Sequence, residues 1–182
     1  MPGREPRSLS CILEAADLDK QLDREILDIL EEDGRADAAE MAQMLGAEPE
    51  AVREALERLE RDKVIVKYTA VVDRSKLDAD GYVDAVIEVK ITPQRDYGYD
   101  DLARRIYRFD EVYSVYLMAG RYDLSVRVRA RSMQEISKFV WEKLAVIDGV
   151  TSTATTFLMR KYKESGVVLA EELHDDRLVV SP

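Results

Sequence analysis

With one cysteine, Cys11, and one histidine, His174, this chain of 182 residues has neither a disulfide framework nor a Cys/His cluster for a metal. No histidine precedes His174, so the commonest proton-transfer side chain near neutral pH is missing from most of the chain. No segment approaches the ~18 apolar residues of a membrane helix, and Met1 to Leu18 hold no sustained apolar stretch of the signal-peptide kind. A cytoplasmic protein with no membrane partner is expected. Glycine-rich phosphate cradles and nucleophile elbows do not occur either, and the many carboxylates are spaced like solvated helix surfaces. The expectation is therefore no catalytic residue, no metal and no cofactor.

What is present suits two small domains: 46% hydrophobic residues can bury one good core or two small ones, and 35% charged residues suit a soluble protein. The net charge of −10 is unevenly placed. Residues 1–73 carry ten Lys/Arg against nineteen Asp/Glu, while residues 74–182 are nearly balanced.

Residues 1–17 show no clear period and read as a flexible leader. From there Leu22, Ile26, Ile29 and Leu30 share one helical face, predicting a helix over Asp19 to Asp33 that ends at Gly34. Asp37 with Glu40 forms a capping box for a second helix, with Met41, Met44 and Leu45 inward and Gly46 as its stop. Pro49 opens a third helix whose buried stripe is Val52, Ala55, Leu56 and Leu59. Only Gly46-Ala47-Glu48 joins the last two, the length and glycine placement of a helix-turn-helix. A β-branched strand, Val64 to Asp73, then predicts a winged helix-turn-helix over residues 18–73. A three-helix packing domain without a nucleic-acid role fits the same periodicity.

After a polar linker, residues 74–81, the order of elements over residues 82–162 reads β-α-β-β-α-β. This is an α+β, ferredoxin-like unit with helices on one face of an open sheet. Its first strand points Ala85, Ile87, Val89 and Ile91 one way and Asp84, Glu88 and Lys90 the other, and Pro93 ends it. Gly120-Arg121 suits a two-residue hairpin, and a last strand runs Val150 to Tyr162. The first and third strands should be central, bringing Glu88 near Arg127 or Arg129 on the helix-free face. That face calls for a second copy, in a two-fold homodimer. In the tail, residues 163–182, the clusters Val167-Val168-Leu169 and Leu178-Val179-Val180 either join a neighbour's sheet edge or stay mobile.

Asp23-Arg24-Glu25-Ile26-Leu27, Asp33-Gly34-Arg35, Met41-Ala42 with Gly46, Arg58-Leu59-Glu60 and Val64-Ile65 with Tyr68 resemble the amino-terminal half of the Lrp/AsnC, or feast/famine, transcription regulators. Val112 with Tyr116, Gly120-Arg121-Tyr122-Asp123, and Gly149-Val150 with Thr153 and Thr155 resemble their effector domain. The resemblance spans about residues 18–162. It implies a sequence-specific, double-stranded-DNA-binding regulator, dimeric through the effector domains and assembled further into a tetramer or octamer. It also implies an amino acid or related small metabolite bound near the hairpin, with Met118, Gly120, Arg121, Tyr122, Asp123, Thr153 and Thr155 as candidates. Arg121 and backbone N–H groups can hold a carboxylate and Asp123 an ammonium; equally, Tyr122 and Asp123 can simply close the hairpin.

Two positions depart from the family. Glu48 stands where a Ser or Thr usually caps the third helix, and Lys63 where a Gly usually closes it. Opposite the buried stripe lie Glu50, Glu54, Glu57 and Arg61, three carboxylates to one guanidinium, which repels phosphate. Arg35, Arg53, Arg58, Arg61, Lys63 and Lys67 remain as possible DNA contacts. The competing reading is a metabolite-sensing assembly protein with weak or lost DNA binding. Some tetrapyrrole decarboxylases resemble the same two-domain frame, but the missing histidine disfavours catalysis here.

Overall fold

The computed structural model describes residues 9–77, 81–92 and 98–169. They fall into two compact units, divided between Val71 and Val72. Residues 1–8 of the leader, Pro93, His174 and the cluster Leu178-Val179-Val180 lie outside the described residues.

The first unit is three helices, α1 (Leu9–Glu32), α2 (Ala38–Leu45) and α3 (Pro49–Arg61). Ile26, Met41, Ala42, Val52, Ala55 and Leu59 are its buried core. The expected start of α1 at Asp19 is corrected: the helix begins at Leu9, within the expected leader. Leu13-Glu14-Ala15-Ala16 are strong helix formers, and a helix nucleated by packing further along propagates through them at little cost. Met44, expected inward, is 69% exposed, and Ala42 is buried instead. At 100° per residue Met41, Ala42 and Leu45 fall within about 100° of arc, while Met44 lies about 110° from its centre. The capping box forms as expected: Asp37 accepts from the Ala39 and Glu40 amides, and Glu40 accepts from the Asp37 amide. Gly46 closes α2 at φ 62.

Both departures noted in the sequence have local consequences. Glu48 takes the N-cap position of α3 without a side-chain capping bond. Lys63 adopts φ 60 just past α3, and the Val64 amide donates to the Leu59 carbonyl at 2.9 Å to close the helix. The strand expected over Val64 to Asp73 does not form; the segment runs outside regular structure. Val64, Val66, Tyr68, Val71 and Val72 are exposed, and a strand exists only with a neighbour to bond, whatever its β-propensity.

The second unit is an antiparallel sheet of β1 (Val83–Ile91), β2 (Val112–Leu117), β3 (Leu124–Ala130) and β4 (Val150–Phe157), with α4 (Tyr99–Ile106) and α5 (Met133–Phe139). The strand order is β2-β3-β1-β4, so the first and third strands are central, as the pattern required. Ala85, Ile87, Val89 and Ile91 of β1 and Leu124, Val126 and Val128 of β3 bury one face beneath Leu102, Ile106, Ile136, Phe139 and Leu144. Each large buried side chain contributes about 1.5–3 kcal/mol. A π-helical turn over Val140–Leu144 follows α5. Gly149 is required at φ 96, since a Cβ there would stand 3.2 Å from a Leu102 methyl.

The last strand stops at Phe157, not Tyr162. Beyond it β1 offers one further acceptor, the Asp84 carbonyl, which takes the Leu158 amide at 2.9 Å. The chain then folds back as β5 (Lys163–Glu164) and β6 (Val167–Val168). Ser165 at φ 46 and Gly166 at φ 82 make the turn between them. The first tail cluster thus pairs within its own chain. Among the described residues no helix is long and apolar enough to cross a membrane.

Replacing Lys63 by glycine is expected to raise the unfolding free energy of the first unit by about 1 kcal/mol. The check is chemical denaturation followed by circular dichroism; an unchanged or lower midpoint contradicts a strained lysine at this turn.

Candidate functional site

On the helix-turn-helix, the six candidate DNA contacts separate by what they already hold. Arg58 reaches back to α1 and donates to Asp23 at 2.6 Å, with both side chains less than a third exposed. It fastens α3 to α1. Arg53 pairs with Glu50 one turn earlier on α3, and Arg61 with its neighbour Asp62 at 3.3 Å. Arg35, Lys63 and Lys67 are exposed and have no salt bridge among the described residues. Glu54 and Glu57 are exposed on α3, and Glu60 accepts from the Tyr68 hydroxyl at 2.8 Å. The reader therefore presents carboxylates from α3 and, from the turn between α1 and α2 and the segment after α3, the cations Arg35, Lys63 and Lys67.

The hairpin of the second unit differs from the two-residue turn expected at Gly120-Arg121. The Met118 amide donates to the Asp123 carbonyl at 2.8 Å, leaving Ala119 to Tyr122 as a four-residue loop, and Gly120 does not take a positive φ. Asp123 is drawn instead toward β1. Its amide donates to the Val89 carbonyl at 3.0 Å, and its carboxylate accepts from the Ile91 amide at 2.7 Å and from Lys90 Nζ at 3.1 Å. The Ile91 amide chiefly holds this carboxyl below its ordinary range, against partial burial and with help from Lys90. Met118, Gly120 and Arg121 are exposed, Tyr122 is half-buried, and the Arg121 guanidinium lies 5.7 Å from the centre of the Tyr122 ring.

Thr153 and Thr155 stand opposite Val89 and Ile87 on β4, on the helix-covered side and at the far edge of the sheet. At ~4.8 Å per strand, β4 is about 10 Å from β3. Loop and threonines therefore do not converge on one point within a single copy.

The helix-free face carries a charge network that sequence reasoning located only in part. Asp84, not Glu88, is the partner of Arg129: the guanidinium donates to it at 2.6 and 3.0 Å, because the register sets Asp84 opposite Arg129 and Glu88 opposite Ser125. Lys161 reaches the same carboxylate at 2.9 Å and Glu164 at 3.5 Å, while Arg127 donates both terminal nitrogens to Glu164 at 3.2 Å. Tyr113 lies under Arg127 and Arg129, 5.2 and 5.3 Å from its ring centre. Burial opposes ionisation of Asp84, yet the bonds from Arg129 and Lys161 prevail and hold its carboxyl below the usual range. The overlooked signal was Ser165-Gly166, the turn pair that returns Glu164 toward the sheet.

Comparison with known proteins places this geometry. An AsnC-type helix-turn-helix domain matches residues 20–60 and an Lrp/AsnC ligand binding domain matches residues 84–168. The uncharacterized HTH-type transcriptional regulator YugG of Bacillus subtilis is 48% identical over 158 residues, 87% of this chain and 95% of that one. The chain belongs to the Lrp/AsnC family. It is a helix-turn-helix transcriptional regulator with a ligand-binding domain. Among solved structures, E. coli AsnC matches with a TM-score of 0.61 at 26% identity, over 79% of this chain and 94% of that one. The transcriptional regulator NMB0573 of Neisseria meningitidis, solved as an L-Met complex, shares the fold with a TM-score of 0.65 at 24% identity, over 81% of this chain and 95% of that one.

Two measurements check this description. A double-mutant cycle on Asp23→Ala and Arg58→Ala should return a coupling of roughly 0.5–1 kcal/mol in stability; zero coupling would free Arg58 for another role. Asp84 has a depressed folded-state pKa, so its contribution is complete above the unfolded value of about 3.9 and is lost as pH falls through the lower folded value. Asp84→Asn should therefore flatten the loss of stability below about pH 4, and an acid limb identical to the parent's contradicts the network.

Proposed function

We propose that the regulator senses a small amino acid or a closely related metabolite at the Met118–Asp123 loop and adjusts its hold on DNA in response. The observation that carries this reading is the loop itself: exposed Arg121 and Gly120 stand beside Asp123, whose carboxylate is fixed in place by the Ile91 amide. A fixed anion next to an exposed guanidinium suits the two ends of a zwitterion. Thr153 and Thr155 complete the site only from a second copy, since within one chain they sit on the other edge of the sheet. That requirement puts the site at an interface between dimers, so it supports assembly into tetramers or octamers of homodimers that themselves pair over the helix-free face. The protein acts in the cytoplasm, without a membrane and without an enzymatic role. The Neisseria meningitidis regulator of this fold was solved as an L-Met complex, which supports an amino acid as the ligand class.

On DNA, Arg35, Lys63 and Lys67 are the phosphate contacts of each copy, with Arg53 and Arg61 joining once they leave their carboxylates. The acidic face of α3 favours a second reading, in which DNA affinity is weak and the reader serves as a contact module. Fluorescence anisotropy against the gene's own upstream duplex separates the two. Three cations from each of two copies give a log–log salt slope of about −5, and Glu54→Gln with Glu57→Gln should tighten binding. Absence of binding at low salt rejects the DNA reading, whereas a slope near zero rejects the phosphate contacts.

A further inference from the structure

Of the arginines on α3, Arg53 is the one in the first half of the helix, near exposed Glu50 and Ala51. In a helix-turn-helix the residues toward the start of the second helix meet base edges in the major groove. Arg58 and Arg61 lie further along, the first of them tied to Asp23.

The way Arg53 is held leaves a particular set of donors open. Its Nε donates to Glu50 Oε2 at 3.1 Å, and its Nη2 donates to the same oxygen. Glu50 thus occupies one side of the planar fork. The end edge, made of Nη1 and the outer hydrogen of Nη2, faces away from that oxygen and engages no acceptor among the described residues. Parallel donors along such an edge fit guanine O6 and N7 bidentately. The Arg53 and Glu50 side chains are 52% and 71% exposed, so a duplex can reach them. As an exposed pair one turn apart they add little stability. Their effect is to restrict a long, flexible arginine to one direction ahead of any contact, which lowers the ordering cost of binding.

Charge separates a base contact from a phosphate contact. On Glu50, Arg53 belongs to a pair with no net charge, and a phosphate gains little from a cation whose carboxylate stands beside it. Guanine O6 and N7 are neutral acceptors, which need aimed donors more than net charge. We infer that Arg53, kept on Glu50, reads a guanine of the operator, with Glu50 as its positioning residue. Released from Glu50, Arg53 would serve a phosphate instead and carry no sequence information. The inference rests on reading this module as a DNA binder.

The test selects duplexes with a randomised core on the full chain, sequences them, and measures the enriched duplexes by fluorescence anisotropy. A guanine is expected in each half-site, and its replacement by adenine should weaken binding about tenfold. At the same position 7-deazaguanine, which lacks N7, should weaken the parent and leave Arg53→Ala unaffected. Glu50→Ala should move two quantities in opposite directions: overall affinity rises as a carboxylate leaves the duplex, while the preference for guanine over adenine falls by roughly threefold or more. Glu54→Gln with Glu57→Gln relieves the same repulsion, and should tighten binding with the preference unchanged. An enriched site without guanine overturns the inference. So does an Arg53→Ala chain that keeps the guanine preference and the 7-deazaguanine penalty, or a Glu50→Ala chain whose preference is intact. Each of these leaves the DNA reading standing, whereas no binding to any duplex at low salt overturns both.

Discussion

Alternation along β1 is the constraint on which the second unit depends. Ala85, Ile87, Val89 and Ile91 are buried beneath the helices, and their intervening neighbours Asp84, Val86, Glu88 and Lys90 must therefore occupy the opposite side. A one-residue slip would bury three charges and expose four apolar side chains, so the register is fixed by a penalty far larger than a domain's net stability. The same register presents an open face that is polar but not bare, with Asp84, Arg127, Arg129 and Tyr113 held in one network.

That network explains how a short carboxyl-terminal hairpin stays in place. Two strands of two residues each have little stability of their own, and Val167 and Val168 are exposed. What fastens the hairpin is charge: Glu164 receives Arg127 and Lys161, and Lys161 also reaches Asp84. Partly buried, these pairs are screened less by salt than surface pairs, and losing one member leaves its partner desolvated without compensation. The first unit uses the same device in the Arg58–Asp23 link between α3 and α1. A basic residue on a reading helix can thus be committed to the fold before any nucleic acid arrives.

Much of the architecture was legible because local signals and packing agreed. Asp37 with Glu40, Gly46, Pro49 and the alternation of β1 each have a short-range physical meaning, and each appears in the structure as read. The misreadings share a different cause. Val64 to Asp73 has the composition of a strand, but strand formation depends on a neighbour that composition does not reveal. Gly120 suggested a tight turn, yet Asp123 bonds across to β1 through contacts 32 and 33 residues away in sequence. Glu88 was a reasonable partner for Arg129 until the register moved that role to Asp84. The candidate site was visible as residue types and not as geometry, because loop and threonines lie on different edges of one sheet.

Pairing of two chains over the helix-free face, with its exposed Tyr116 and Glu88, is the proposed basis of assembly. Sedimentation equilibrium of the full chain at micromolar concentration tests it most directly. A dimer over that face gives a mass twice the 20.8 kDa of one chain, or a higher even multiple on further assembly. A species of 20.8 kDa across that range would leave the face open to water and contradict the account.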